Sequence, residues 1–437
     1  MRIVLYFPGD KSIAAKADKM NLDCQLPNTD FVFLSLKEVN DFLERHFKAS
    51  YQGLLQELES LRPLNQLLLI ASLARASHKG YSFRRRCGRE ILGKHRPRNL
   101  ESAHLFAKYF FSKMTLLRFI FLFLGLIRIP ENLLLLFFKN YIKSRSIKLN
   151  ALFEYWKPRL VVVQSSGFDP LSIAIRTYKS HFGFQILYLV NNWDNPSSKM
   201  ILTKDLDYIG SWNHEQIHQI SQKSSYPKER VHVVGSASID EAYSRITPSY
   251  TFSHSNRAGS KLLFVGQQNE CDELSHVTRL AFEISKGGTP YKGLVYRPHP
   301  ISSEKLKRIS QLDELQTLFK LDFSPSVDFS LYTGVICLPT TLILEVYLSG
   351  IPAIVYTPKD SKFRTDPFSM WRYEHFDNLK SILPFPAVHN FSDLMLQVRK
   401  GLPNYSKNIP AKFQEIFPRL EPDFCSRLVS LVARIDF

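Results

Sequence analysis

Two short stretches of the C-terminal half combine residue types suited to holding an anion. They are Tyr296-Arg297-Pro298-His299-Pro300 and Leu338-Pro339-Thr340-Thr341-Leu342, the second with Glu345 one helical turn further on. Each follows an apolar β-type run and precedes a helical pattern, which puts both at the carboxyl end of a parallel strand, where open α/β sheets bind ligands. Thr340 and Thr341 fall where a strand stops and a helix begins. Free backbone N–H groups and a dipole of about +0.5 charge favour an anion there, and the hydroxyls add donors. Thr is equally an ordinary N-cap, so the pair alone fits either role. Pro298 and Pro300 bracket His299 and stiffen its loop, holding the imidazole at the sheet edge. With Arg297 two residues away, such a His beside Thr hydroxyls suits a diphosphate or a phosphodiester. Glu345 would accept from ribose hydroxyls or stand as a solvated helix charge. Gly266, closing the strand Leu262-Leu263-Phe264-Val265, is grouped with this ligand-binding set.

The elements that must position these residues recur along the chain. Arg159 to Val163, Phe184 to Val190, Tyr208 to Trp212 and Arg230 to Gly235 read as strands, each with a turn or helical pattern after it. Strand then helix, repeated, means βαβ units and a parallel sheet. The polar stretch Thr247 to Lys261 is the linker expected between two such series. Beyond it Leu262 to Gly266, Gly293 to Tyr296, Gly334 to Leu338 and Ala353 to Tyr356 read as strands of a second sheet. Nearer the N-terminus, Ile3 to Phe7 and Phe31 to Leu36 are strand-like, and helical patterns follow from about Lys37 to Arg75. The expected fold is α/β, with two Rossmann-like domains facing a cleft: residues 1–250, residues 261–410, and a C-terminal helix in 411–437 packing back on the first domain.

Residues 79–148 interrupt this regularity. Lys79, Arg84, Arg85, Arg86, Arg89, Lys94, Arg96 and Arg98 form a basic stretch, and an apolar, aromatic segment from Leu105 to Phe138 follows. Its longest uncharged runs, Phe119 to Ile127 and Leu133 to Phe138, fall short of the roughly 20 apolar residues a spanning helix needs. With Lys139, Lys143, Arg145 and Lys148 just beyond, the segment fits an amphipathic hairpin in the interface of an anionic bilayer. A buried helical pair with snorkelling basic residues fits as well. The whole chain of 437 residues carries 57 Lys and Arg against 40 Asp and Glu, a net charge of +17 that biases its surface toward anionic partners. Five scattered cysteines without a C-x-x-C pair read as reduced and structural. Met1 to Phe7, closed by Pro8-Gly9, reads as a buried strand rather than a secretory signal, so the chain is expected in the cytoplasm.

The pattern strand, R-P-H-P, then strand, hydroxyl pair, apolar residues, Glu345 and Ser349-Gly350-Ile351-Pro352 resembles the C-terminal domain of GT-B type bacterial surface-polysaccharide transferases. It is similar to the members with an HP motif: capsule-type Kdo and sialyl transferases and the CDP-glycerol glycerophosphotransferases. Asn192-Trp193-Asp194-Asn195 resembles a W-D-N segment of surface-carbohydrate transferases, and the likeness runs from about Arg159 to Tyr356. It implies a glycosyltransferase that moves a sugar from a nucleotide-activated donor, CMP-linked or other, to a lipid-linked or surface polysaccharide acceptor. The implied donor contacts are His299, Thr340 and Thr341 on phosphate and Glu345 near the ribose. No metal and no cofactor is implied; the nucleotide-sugar is the substrate. The W-H-G segment of the glycerophosphotransferases is missing, which favours a sugar donor over glycerophosphate.

An inverting transfer needs a carboxylate or His in reach of the acceptor hydroxyl. The candidates are Asp194, Asp169 and His214. Asp194 leads because Trp193 beside it would offer a sugar-stacking face and partial desolvation, while an Asx turn before Pro196 is the structural reading of the same residue. Two other functions compete with transfer. A nucleotide-sugar epimerase would need further acid and base groups, and a non-catalytic membrane- or nucleic-acid-binding protein would keep the fold alone. No zinc-finger, ribonucleoprotein or helix-turn-helix signature is present, so nucleic acid is not an expected partner. The expected place of work is the inner face of the plasma membrane, held peripherally.

Overall fold

The structure is a computed structural model that describes residues 2–8, 31–34, 36–64, 66–68, 71, 120, 123–124, 131–165, 170–193, 206–224, 226–244, 260–267, 270–299, 317–324, 327–359, 367–371, 376, 379–380, 382–403 and 411–435. It contains two compact units, Met1–Ala237 with Leu420–Phe437, and Ser238–Arg419. The basic stretch 79–98 and most of the linker 247–261 lie outside the described residues.

The first unit is built on six strands: β1 (Arg2–Pro8), β2 (Phe31–Leu34), β3 (Leu160–Ser165), β4 (Gln185–Val190), β5 (Tyr208–Ser211) and β6 (Val231–Val233). They pair in the order β2-β1-β3-β4-β5-β6, all parallel, with Tyr6 opposite Val162 and Val163 opposite Tyr188. Leu160-Val161-Val162-Val163 is buried on both faces. That is why a continuous aliphatic run, rather than alternation, marks a parallel strand. Alternation along β1 sends Val4 and Tyr6 to one side and Leu5 and Phe7 to the other. On the first side they meet Leu160, Val162, Leu187 and Leu189 and the apolar face of the helix Phe424–Arg434, through Phe424, Leu428, Val429, Leu431 and Val432.

This last helix is anchored at its start. Asp423 caps it by accepting from Ser426 N at 2.9 Å. Arg427 donates to the carbonyls of Val234 at 2.7 Å and Leu420 at 2.8 Å, and to that of Pro422. Gly235 has φ +85°, and a Cβ there would lie 2.5 Å from the Arg427 guanidinium, so the turn after β6 has two reasons to be glycine. On the other side of the sheet Phe7 packs on Tyr51 and Phe153, ring centroids 6.3 and 6.0 Å apart. Phe153 continues the cluster to Tyr178 and Phe184.

The second sheet holds β7 (Lys261–Val265), β8 (Gly293–Arg297), β9 (Lys320–Leu321), β10 (Gly334–Cys337), β11 (Ala353–Tyr356) and β12 (Ala387–Val388). Their order is β12-β11-β10-β7-β8-β9, again all parallel. The long helix Glu270–Ser285 connects β7 to β8 and covers one face with Val277, Leu280, Ala281 and Ile284. The two edge strands, β9 and β12, are two residues each and too short to leave a pattern in the sequence. Helical structure near the N-terminus is described as Leu36–Phe47, Tyr51–Leu58 and Glu59–Leu61, within the longer span expected from about Lys37 to Arg75.

Candidate functional site

In the second sheet the chain runs β7, β8, β9 outward on one side, then returns to place β10, β11, β12 on the other. The strand order therefore reverses between β7 and β10, the point at which open α/β sheets form a ligand crevice beyond their carboxyl ends. Register puts Cys337 opposite Val265, and Leu338 N donates to Val265 O at 3.0 Å. The next residues on each strand, Gly266-Gln267 and Pro339-Thr340, therefore emerge side by side. Gln267 bridges the two ends, its Nε2 donating to the carbonyl of Pro339. The Gln267 side chain is buried, and its Oε1 has no hydrogen-bond partner among the described residues. Among buried side-chain polar atoms such a vacancy is uncommon.

Gln267 is held from behind. Its backbone N donates to Glu273 Oε1 at 2.7 Å, and Tyr296 Oη donates to Glu273 Oε2 at 2.6 Å. Glu273 and Tyr296 are both fully buried, so each of these hydrogen bonds offsets part of a large desolvation cost. Gly266 leaves room for this arrangement: a Cβ there would sit 2.0 Å from Glu273 Oε2 and 2.9 Å from Tyr296 Cε2. Within this network Gly266 acts by the absence of a side chain.

Thr340 and Thr341 are half-buried at the end of β10, and their carbonyls accept from Ile343 N and Leu344 N, both at 3.2 Å. The helix they introduce, Ile343–Leu348, is only six residues long, and its cap position is taken by Leu342 with no side-chain cap bond. Thr340 Oγ1 accepts from Leu342 N at a long 3.4 Å. This corrects the expectation of a strong dipole and of a Thr N-cap: a helix this short aligns few peptide units, so what the loop offers an anion is its hydroxyls rather than a helix dipole. Glu345 lies in the first turn of that helix, half-buried.

His299 follows β8 and is half-buried behind the buried Pro298, while Pro300 lies outside the described residues. Arg297 turns elsewhere. Its guanidinium donates to Asp322 Oδ2 at 2.9 Å, to Ser324 Oγ at 3.1 Å and to Ser324 O at 2.9 Å, tying β8 to the loop after β9. Burial acts to raise the Asp322 carboxyl, but hydrogen bonds from Ser324 and the Arg297 charge outweigh it and hold the group below the usual aspartate range. At the far side of the edge, Thr357 after β11 is buried and its Oγ1 lies 2.6 Å from His389 Nδ1, the residue after β12. From β8 to β12 the carboxyl edge thus carries His299, Gln267, Thr340, Thr357 and His389.

The candidates of the first unit are arranged differently. Asp194 and Asp169 lie outside the described residues. Trp193 is fully buried, and its carbonyl accepts from Gln216 Nε2 at 3.3 Å. It is a core residue and presents no face to a sugar, which corrects the stacking role expected for it. Trp212 is buried beside the same framework, with Nε1 donating to Val190 O at 2.8 Å and its backbone N to Gln216 Oε1 at 2.7 Å. His214 stands exposed as the first residue of the helix His214–Ser224.

Sequence reasoning missed Gln267, Glu273, Thr357 and His389. Gln267 and Thr357 each follow a strand by one or two residues and could have been found by the rule that found Thr340. His389 follows a strand too short to see, and Glu273 reads in sequence as an ordinary helix charge. Among the described residues no group of three His, Cys, Asp or Glu stands close enough to hold a metal ion.

No protein-family profile matches the chain, and no curated protein matches it. Solved structures resemble it distantly. UDP-GlcNAc 2-epimerase from Neisseria meningitidis bound to UDP-GlcNAc aligns over 100% of both chains at 12% identity and a TM-score of 0.46. A glycosyltransferase from Rickettsia africae aligns at 9% identity over 67% of this chain and 80% of its own, with a TM-score of 0.34. The wall teichoic acid polymerase TagF aligns at 13% identity over 68% of this chain and 96% of its own, with a TM-score of 0.36. No functional statement follows from likenesses this distant.

Proposed function

We propose that the protein is a glycosyltransferase that takes a nucleotide-activated sugar as donor and binds it at the carboxyl edge of the second sheet. The observation that carries this reading is the reversal of strand order between β7 and β10, bridged by Gln267 and Pro339 and flanked by the Thr340 and His299 loops. Hydroxyl, amide and imidazole groups on that edge suit a phosphate and the hydroxyls around it. In the reaction an acceptor hydroxyl oxygen attacks the anomeric carbon, the bond from that carbon to the phosphate oxygen breaks, and the nucleotide leaves with the electron pair. His299 and the Thr340 and Thr341 hydroxyls stabilise the departing phosphate, and Glu345 accepts from ribose hydroxyls. The acceptor proton is taken by a general base, for which Asp194, Asp169 and His214 are the candidates. The acceptor is a lipid-linked or surface glycan, met by a peripheral protein at the inner face of the plasma membrane.

The test is thermal unfolding of the wild type and His299→Ala with CMP, CDP, UDP and GDP. A ligand at 100 times its Kd stabilises by about 2.7 kcal/mol, a shift of several degrees. We expect one nucleotide to stabilise the wild type and His299→Ala to lose most of that shift. Equal shifts in both proteins remove His299 from the donor site, and no shift with any nucleotide removes the reading.

A further inference from the structure

Of the twelve large apolar side chains exposed among the described residues, eight lie between Ile120 and Tyr155. Their centre is a pair of short helices, Glu131–Phe137 and Lys139–Ser144. Helical hydrogen bonding runs through the junction, with Phe138 N donating to Leu134 O at 3.3 Å and Ile142 N to Phe138 O at 2.9 Å. Side chains three and four apart therefore keep to one side across both helices. One side is anchored, since Leu134, Leu135 and Ile142 are buried and the following Ser146 Oγ sits 3.0 Å from Tyr178 Oη. The other side carries Leu133, Leu136, Phe137 and Tyr141, with Leu136 60% and Phe137 76% exposed, and Ile147 follows at 62%. A water-facing helix side is ordinarily polar, and an apolar row held out by an anchored opposite side marks an interaction surface.

Charge identifies the partner. Residues 131–148 hold four cations, Lys139, Lys143, Arg145 and Lys148, against the single acid Glu131. Lys148 is paired with Glu57 at 2.7 Å, while the Arg145 guanidinium lies 5.8 Å from the Tyr141 ring, at the border of the apolar row. The 14 residues from Glu131 to Ser144 would measure about 21 Å as a helix, short of the roughly 30 Å bilayer core, and no described helix is long and apolar enough to cross a membrane. Apolar side chains on one side, cations at their border and insufficient length to span are the properties of a helix that lies in the headgroup region of an anionic bilayer. We propose that the side formed by Leu133, Leu136, Phe137 and Tyr141 docks the protein on an anionic lipid surface. Leu136 and Phe137 enter the acyl boundary, and Lys139 and Arg145 meet the headgroups.

The full chain is to be sedimented, with no nucleotide present, with vesicles of phosphatidylglycerol and phosphatidylcholine and with vesicles of phosphatidylcholine alone. We expect binding to the anionic vesicles only, weakened about tenfold or more by Leu136→Gln with Phe137→Gln and also by Lys139→Glu with Arg145→Glu. Leu331→Gln, an exposed apolar site of the other unit, should leave binding unchanged. Phe137→Trp supplies a second readout that needs no destabilising change. The fluorescence of that variant should move to the blue when anionic vesicles are added. Vesicle binding equal in wild type and the double apolar variant overturns the proposal. So does a Phe137→Trp spectrum already blue in solution and unmoved by vesicles, the result if a second copy or another part of the chain covers this side. Neither readout depends on the transferase reading, so the two can fail separately.

Discussion

The first unit carries its W-D-N tryptophan inside the core, whereas the second unit brings polar side chains to its sheet edge. Trp193 and Trp212 are both buried, fastened by Gln216 and by Val190 O, so the most recognisable residues at the end of β4 and β5 organise packing. On the second sheet the ends of β7 and β10 are bridged through Gln267, whose carboxamide oxygen has no partner among the described residues. Large aromatic rings are stabilised most by burial, each covering on the order of 150–250 Å². Small polar residues after a strand have little apolar area to bury. The same topological position thus yields a packing element when its residues are large and apolar, and an edge of polar side chains, the one we propose binds the donor, when they are small and polar.

The largest test of this contrast separates core from edge. Leu428→Ala removes a fully buried side chain from the helix that closes the first sheet and should cost about 3–4 kcal/mol, read as a lowered midpoint in urea unfolding. Its nucleotide-induced stabilisation should persist, because the second sheet does not share that core. Gly266→Ala should cost somewhat less, about 2–3 kcal/mol, by pushing the buried Glu273 carboxylate off Gln267 N and Tyr296 Oη. Unlike Leu428→Ala it should also abolish the nucleotide shift. Retention of that shift would break the assignment of the edge as the donor site.

The smallest effect concerns Arg297 and Asp322. Asp322→Asn should cost about 0.5–1 kcal/mol at pH 7, the scale of a partly exposed ion pair. The Asp322 carboxyl titrates below its unfolded range, so its contribution is present above about pH 4 and disappears as pH falls through the lower folded value. Unfolding midpoints of wild type and variant should therefore differ at pH 7 and draw steadily together as pH falls below about 4. A gap that does not narrow at all as pH falls would mean that the Asn disturbs β9 by shape rather than by charge.

Much of the architecture was legible because burial on both faces writes itself into sequence as aliphatic runs. Leu160 to Val163, Leu262 to Val265 and Gly334 to Cys337 were readable for that reason, and the residues just beyond them, Thr340 and His299, came with the rule that ligands gather at strand ends. Arg297 lies in the same motif as His299, and its type alone suggested an anion. Its guanidinium goes to Asp322 because β9 brings that carboxylate alongside, and a two-residue strand leaves no periodic signal. Glu273 and Gln267 were missed for a related reason: a Glu within a helical pattern looks solvated until the fold carries Tyr296 and Gly266 to it.

The sequence alone thus determined the parallel α/β class, most of its strands, and the positions where strand ends meet loops. Apolar periodicity is a local property and survives being read one residue at a time. Tertiary structure alone decided which polar residues stand at the carboxyl edge of the second sheet and which serve the frame, burying Trp193, engaging Arg297 and joining Gln267 to Pro339 across 72 positions of chain. Those outcomes depend on what strand order places beside each residue, and strand order is set by packing between segments far apart in the chain.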